Sequence, residues 1–140
     1  MSTVSVTRLR LRNWRSLPAF LWDSGRAALQ AKRTEGCLNV ALRGNGRIFW
    51  TMTAWRDAGA LKNFMITGPH RRSMPKLAGW CDEASLARFD HAGDALPSWE
   101  EAEQILATQG RTSKVDYPSP AQQAGQTLGE QAHTAAPKTV

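Results

Sequence analysis

The chain has 140 residues, 41% of them hydrophobic, with a net charge of +6 and two cysteines. That length holds one domain with a real core and is too short for two ordinary ones. No apolar run approaches the roughly 20 residues that a membrane span needs.

The first ten residues, Met1 to Arg10, alternate instead of forming an apolar block with a cleavage site. No export signal is therefore expected, and the cytoplasm is the default location. In such a reducing compartment Cys37 and Cys81, far apart and outside any metal-ligand spacing, read as buried thiols rather than a disulfide. The charge is uneven. Residues 1–33 carry seven basic side chains against Asp23 alone, and Arg71, Arg72 and Lys76 form a second cluster. Such a balance suits nucleic acid, an acidic membrane surface or an anionic ligand; the plainer reading is a solvated basic face.

Residues 3–13 have the period of a half-exposed strand, with Leu9 and Leu11 on one side and Arg8, Arg10 and Arg12 pointing outward. Ser16 is placed to cap the next helix, and Pro18 suits its first turn. Leu17, Leu21, Ala28 and Leu29, with Phe20 beside them, give that helix an apolar stripe through about Arg33. Gly25 is a place for it to bend.

Residues 37–42 and 47–55 form two strands around Arg43-Gly-Asn-Gly46, whose Asn-Gly pair favours a type I′ hairpin. One face then carries Cys37, Asn39, Ala41, Ile48, Trp50, Met52 and Ala54. Leu38, Val40, Leu42, Phe49, Thr51, Thr53 and Trp55 share the other. Neither face looks like a solvent face, so the sheet must be covered twice. In so small a chain the second cover is expected from another copy, which predicts a homodimer.

Asp57 caps the next helix, with Leu61, Phe64 and Met65 on one side of it. Thr67-Gly-Pro69 interrupts it and opens a new turn, where His70, Met74 and Leu77 share a face; Pro75 makes that segment short or kinked. A last strand follows at about Ala84–Asp90, and Ser98-Trp-Glu-Glu101 matches a capping box for one more helix. The order β-α-β-β-α-β is the ferredoxin-like split unit with a four-stranded antiparallel sheet, an α+β fold. Residues 1–110 are read as the domain, and 111–140, rich in Gln, Ala, Pro, Thr and Gly, as a disordered tail.

The stretch Phe49-Trp-Thr-Met-Thr-Ala-Trp55-Arg-Asp57, followed by Leu61, Phe64, Met65, Gly68 and His70, resembles the antibiotic-biosynthesis-monooxygenase-type dimeric α+β barrel. The run through Trp80-Cys-Asp-Glu-Ala-Ser-Leu-Ala-Arg88-Phe89 is similar to the spheroidene monooxygenase family and a related uncharacterised bacterial family. The similarity covers roughly residues 5–92. It implies a homodimer whose two sheets face each other, with a pocket between helices and sheet in each subunit. It also implies haem, with His70 as the matching ligand. In haem-degrading members of the wider superfamily the ligand histidine lies about one turn further on. Met74 holds that place here, and Phe64 stands where those members have tryptophan. The resemblance thus argues against haem degradation and leaves haem ligation by His70 open.

The candidate site follows from these readings. His70 is the candidate catalytic residue and iron ligand, with Arg71 and Arg72 placed to pair with haem propionates and Met74 beside them. Spacing alone favours a neutral histidine with a structural role, and only the resemblance brings the two readings level; Met74 and Leu77 read more readily as core. Asn39 and Trp50 are the other catalytic candidates, because cofactor-independent members of the superfamily use polar and aromatic groups to let an electron-rich substrate meet oxygen directly. Trp55 reads as packing, while a polar amide at Asn39 on an apolar face needs a partner. No His-Glu-x-x-His, Cys-x-x-Cys, Gly-x-Ser-x-Gly or phosphate-binding loop occurs.

The leading expectation is a monooxygenase-like oxidoreductase acting on an apolar small molecule, haem-dependent through His70 or cofactor-free. The alternative is a non-catalytic ligand-binding or stress-associated dimer on the same fold. RNA binding through the Arg8-Arg10-Arg12 side would need exposed sheet aromatics, so no nucleic acid partner is expected.

Overall fold

The computed structural model describes residues 1–129. Strand β1 (Ser2–Leu11) leads through a tight turn at Trp14–Ser16 into α1 (Leu17–Arg33). The hairpin β2 (Cys37–Asn45) and β3 (Ile48–Trp55) follows, then α2 (Ala58–Met65), α3 (Gly68–Trp80) and β4 (Cys81–His91). After it come α4 (Trp99–Gln109), a two-residue β5 (Arg111–Thr112) and a short α5 (Pro120–Gln123). The sheet runs β2-β3-β1-β4-β5, with every neighbouring pair antiparallel. It is the expected ferredoxin-like α+β arrangement, open rather than closed and extended by a fifth strand.

Local chemistry accounts for most boundaries. The carboxylate of Asp57 accepts a hydrogen bond from the Ala60 amide, and the Ser98 hydroxyl accepts one from Glu101. Ser16 makes no such bond, because a single tight turn precedes α1 and Asn13 accepts from the Arg15 amide at its start. The hairpin turns at Gly46 and Arg47, and only Gly46 takes positive φ, so the turn is not type I′. Register moves by one pair of residues relative to an Asn45-Gly46 turn, and the faces stay as read. At the other end, a bulge at Leu38 turns Cys37 onto the opposite face, where it packs with Trp55 and Ala60. α1 passes through Gly25 and α3 through Pro75 without interruption.

Two layers sandwich the sheet. α1, α2 and α3 lie on the side of Thr51, Thr53 and Trp55. Val4, Val6, Trp50, Met52, Ala54 and Ala87 form the core of the other side, closed by Ala102 and Leu106 of α4. The second cover expected from another copy is thus supplied by the chain itself, and the premise of that argument for a dimer is not met. Trp50 is only 3% exposed within a single chain. Its ring and that of Trp99 each lie 4.9 Å from the Arg43 guanidinium, which Glu103 holds at 2.8 Å.

Part of the segment read as a tail packs on the domain: Val115, Ser119, Ala121 and Gln122 are buried, and the segment bonds to β4. Gln122 stitches the segment down, accepting from the Ala84 amide and donating to the Ala84 and Ser113 carbonyls. The rest of the expected tail, residues 130–140 with His133, lies outside the described residues. This ordered segment also corrects the arginine row. β1 is central, so Arg8 is buried to 1% exposure and pairs with Glu83 at 2.9 Å, while Arg10 forks onto Asp82. Arg12 alone stays exposed, its guanidinium 4.2 Å from the centre of the Tyr117 ring.

Candidate functional site

A cavity of about 200 Å³ opens between the sheet and α1, α2 and α3. Its floor comes from alternate residues of the strands, and register brings their hydroxyls together. Ser5 of β1 sits opposite Thr53 of β3, and Thr7 sits opposite Thr51. Opposite side chains on one sheet face are close neighbours, so these form a four-hydroxyl patch. None of the four makes a side-chain hydrogen bond to another protein group among the described residues. The walls are apolar: Leu61, Phe64 and Met65 from α2, Leu77 from α3, and Leu9, Val40 and Leu86 from the sheet. Small residues of α1, namely Ser24, Ala27, Ala28 and Ala31, leave the space that larger side chains would fill.

His70 lines this cavity from the first turn of α3. Two contacts fix it. Its backbone amide donates to Gln30 Oε1 at 2.8 Å, and its Nδ1 lies 3.3 Å from the Met65 carbonyl. Gln30 also donates to the Thr67 and Phe64 carbonyls, tying α1 to the break between α2 and α3. A carbonyl can only accept, so the neutral ring carries its proton on Nδ1 and keeps the lone pair on Nε2. Burial lowers the His70 pKa; the Met65 carbonyl opposes that shift and the nearby Arg88 charge adds to it. The result is a neutral imidazole, its ring 4.6 Å from that of Phe64.

Three charged groups also line the space: Arg88, Asp23 and Lys114. Arg88 on β4 has no carboxylate partner among the described residues and donates only to the Met65 sulfur. Asp23 of α1 is engaged by the Ser73 hydroxyl and by Lys76.

The other residues expected at the site lie elsewhere. Asn39 is exposed on the edge strand beside the bulge, its side-chain oxygen accepting from the Val40 amide. Trp50 packs in the core on the far side of the sheet. Arg71 and Arg72 are exposed and do not line the cavity; Met74 lies half-exposed at its rim. No group of three or more His, Cys, Asp or Glu side chains gathers among the described residues.

No family model matches the chain, and no curated protein is significantly similar in sequence. Solved structures are similar in shape. Rv0793 from Mycobacterium tuberculosis superposes with a TM-score of 0.62 at 11% identity, over 69% of this chain and 100% of that one. SnoaB from Streptomyces nogalater, a cofactor-independent oxygenase, gives 0.56 at 15% identity, over 69% and 98%. An antibiotic biosynthesis monooxygenase gives 0.57 at 15% identity, over 68% and 99%. The chain has the antibiotic-biosynthesis-monooxygenase-like fold. At these identities the likeness concerns fold alone, and about a third of this chain has no counterpart in those structures.

Within that fold, several cavity residues escaped the sequence reading. The hydroxyls of Ser5 and Thr7 were visible as small polar residues alternating with Val4 and Val6. Which face they occupied was obscured by the arginines that follow, which were read as the outward set. Arg88 gave no signal, since nothing in its neighbours tells that a lone cation will border a cavity.

Proposed function

We propose that the chain is a monooxygenase-like oxidoreductase for a small, mostly apolar, electron-rich molecule with an ionisable hydroxyl, such as a quinol. The observation that carries this reading is a neutral imidazole with a free Nε2 at the wall of a cavity with apolar walls and a hydroxyl floor. Nε2 of His70 accepts the hydroxyl proton, and the electron-rich anion reacts with oxygen at a ring carbon. One oxygen atom stays on the ring and the other leaves as water; the substrate supplies all the electrons, ending as a hydroxyquinone. Arg88 stabilises the negative charge as it forms, which is the role of a cation unpaired in the protein. The patch of Ser5, Thr7, Thr51 and Thr53 orients the polar end of the molecule, and the walls from Leu61, Phe64 and Leu77 exclude water. One chain builds the whole cavity, so this reading requires no second copy.

Haem is a poorer occupant. His70 could supply one axial nitrogen. The cavity of about 200 Å³ is smaller than the roughly 300–1,000 Å³ of ordinary ligand pockets. Arg71 and Arg72, the cations expected to pair with propionates, do not line it.

Oxygen uptake by the purified protein with a panel of quinols tests the reading. Consumption above the protein-free rate, reduced by a hundredfold or more in His70→Ala, is the expected result. Saturable quinol binding with no oxygen uptake would favour the non-catalytic ligand-binding alternative.

A further inference from the structure

Helix α1 has two apolar sides. Phe20 and Ala31 are buried in the fold, whereas Leu21, Trp22 and Leu29 face solvent. Trp14, in the turn before the helix, is 59% exposed and Trp22 69% exposed, and neither ring has a partner among the described residues. With 3.6 residues per turn, Leu21, Gly25, Pro18, Leu29 and Trp22 make one outward strip about 100° wide. Arg26 and Arg33 border this strip on the Trp22 side, and Lys32 falls within it near the end of the helix, all three exposed. Asp23, the single acid in α1, is turned inward to Ser73 and Lys76. Glu35 lies past the end of the helix, 3.9 Å from Arg56. The neighbouring α3 adds exposed Arg71 and Arg72.

We propose that this face seats α1 in the plane of an anionic lipid surface. Leucine and tryptophan on one face, with Arg26 and Arg33 along its border and Lys32 at its C-terminal end, is a composition that lies at a headgroup–acyl boundary. The charge decides between occupants. A second copy would bring the same cations against each other, and RNA would stack on the tryptophans while leaving Leu21 and Leu29 wet. An anionic bilayer satisfies both features, attracting the cations and burying the leucines. No helix among the described residues is long and apolar enough to cross a membrane, so the contact is peripheral. The inner side of α1, through Ser24, Ala27 and Ala28, lines the cavity. Docking therefore brings the bilayer within about one helix diameter, roughly 10 Å, of the cavity. Apolar molecules dissolved in the lipid become the natural source of its ligand.

The experiment pellets the full chain with vesicles of phosphatidylcholine alone or of phosphatidylcholine with phosphatidylserine. Tryptophan quenching by brominated lipid is read in parallel. Binding to the anionic vesicles only, weakening between about 0.1 M and about 1 M salt, is expected. Trp22→Ser with Leu29→Ser lowers affinity by roughly tenfold or more, and Arg26→Gln with Arg33→Gln by about fivefold per charge. All four positions are exposed, and variants that melt as the parent does exclude unfolding as the cause. Equal pelleting with both vesicle types, none with either, or full binding by both double variants overturns the proposal. An RNA shift abolished by Trp22→Ser without vesicle binding also overturns it, as does an oligomer that Trp22→Ser dissociates. The readout needs no oxygenase activity, so this proposal and the function proposed above fail separately.

Discussion

Nδ1 of His70 lies 3.3 Å from the carbonyl oxygen of Met65, across the break that separates α2 from α3. The bond both orients the ring and leaves Nε2 as its basic atom. Because burial lowers the His70 pKa, the unfolded chain takes up a proton at about pH 6.5 that the folded chain still refuses. Stability is therefore full above that pH and falls as the pH drops through the lowered folded value. Thermal melts from neutral pH downwards should show this loss, and His70→Asn should flatten that part of the profile.

The space beside α1 exists because Ala28 is small. Ala28→Phe should fill it, costing about 1–3 kcal/mol of stability through overpacking. Quinol binding, followed by fluorescence quenching, should be lost while the circular dichroism spectrum stays native. Thr51→Val leaves the volume unchanged and removes one hydroxyl. It should weaken quinol binding by roughly 2- to 10-fold, the worth of one hydrogen bond.

The Arg8–Glu83 pair is buried and carried by Ser119, whose hydroxyl donates to Glu83 at 2.7 Å. Burial by itself would raise the Glu83 pKa. The Ser119 bond, with the Arg8 and Arg10 charges, outweighs it and holds the carboxyl below its usual range. Two Arg8 nitrogens, Nε and Nη2, are buried without hydrogen-bond partners among the described residues. Glu83→Ala should cost about 3–5 kcal/mol in denaturant unfolding. Arg8→Met with Glu83→Leu should recover most of that loss, because the uncompensated charge is then gone.

α4 closes the far face of the sheet through Ala102 and Leu106, both fully buried. Leu106→Ala should destabilise the chain by about 2–5 kcal/mol. Sedimentation velocity of the same variant checks the self-supplied cover: more exposure of Trp50 and Met52 should raise the tendency to associate.

The order of elements and the two faces of the β2–β3 hairpin were legible in the amino-acid sequence, because side-chain alternation and cap residues act over a few positions. Val40, Thr51 and Thr53 fall on the cavity side and Trp50 and Met52 on the other, as that period dictates. His70, beside the Gly-Pro break, was legible too, since a helix start after such a break is a local event. Three things depended on contacts between distant parts of the chain. Arg8 looked like solvent surface until Glu83 and Ser119 arrived to pair with it and cover it. Asn39 and Trp50 fall on the sheet face opposite His70, because the layer that packs on each face, not residue type, decides what reaches a cavity. The cover of the second face came from residues 99–129, whose weak apolar pattern gave no hint that one helix and a strapped-down segment could replace a partner. Local periodicity sets which side of an element is apolar; only packing decides what that side meets.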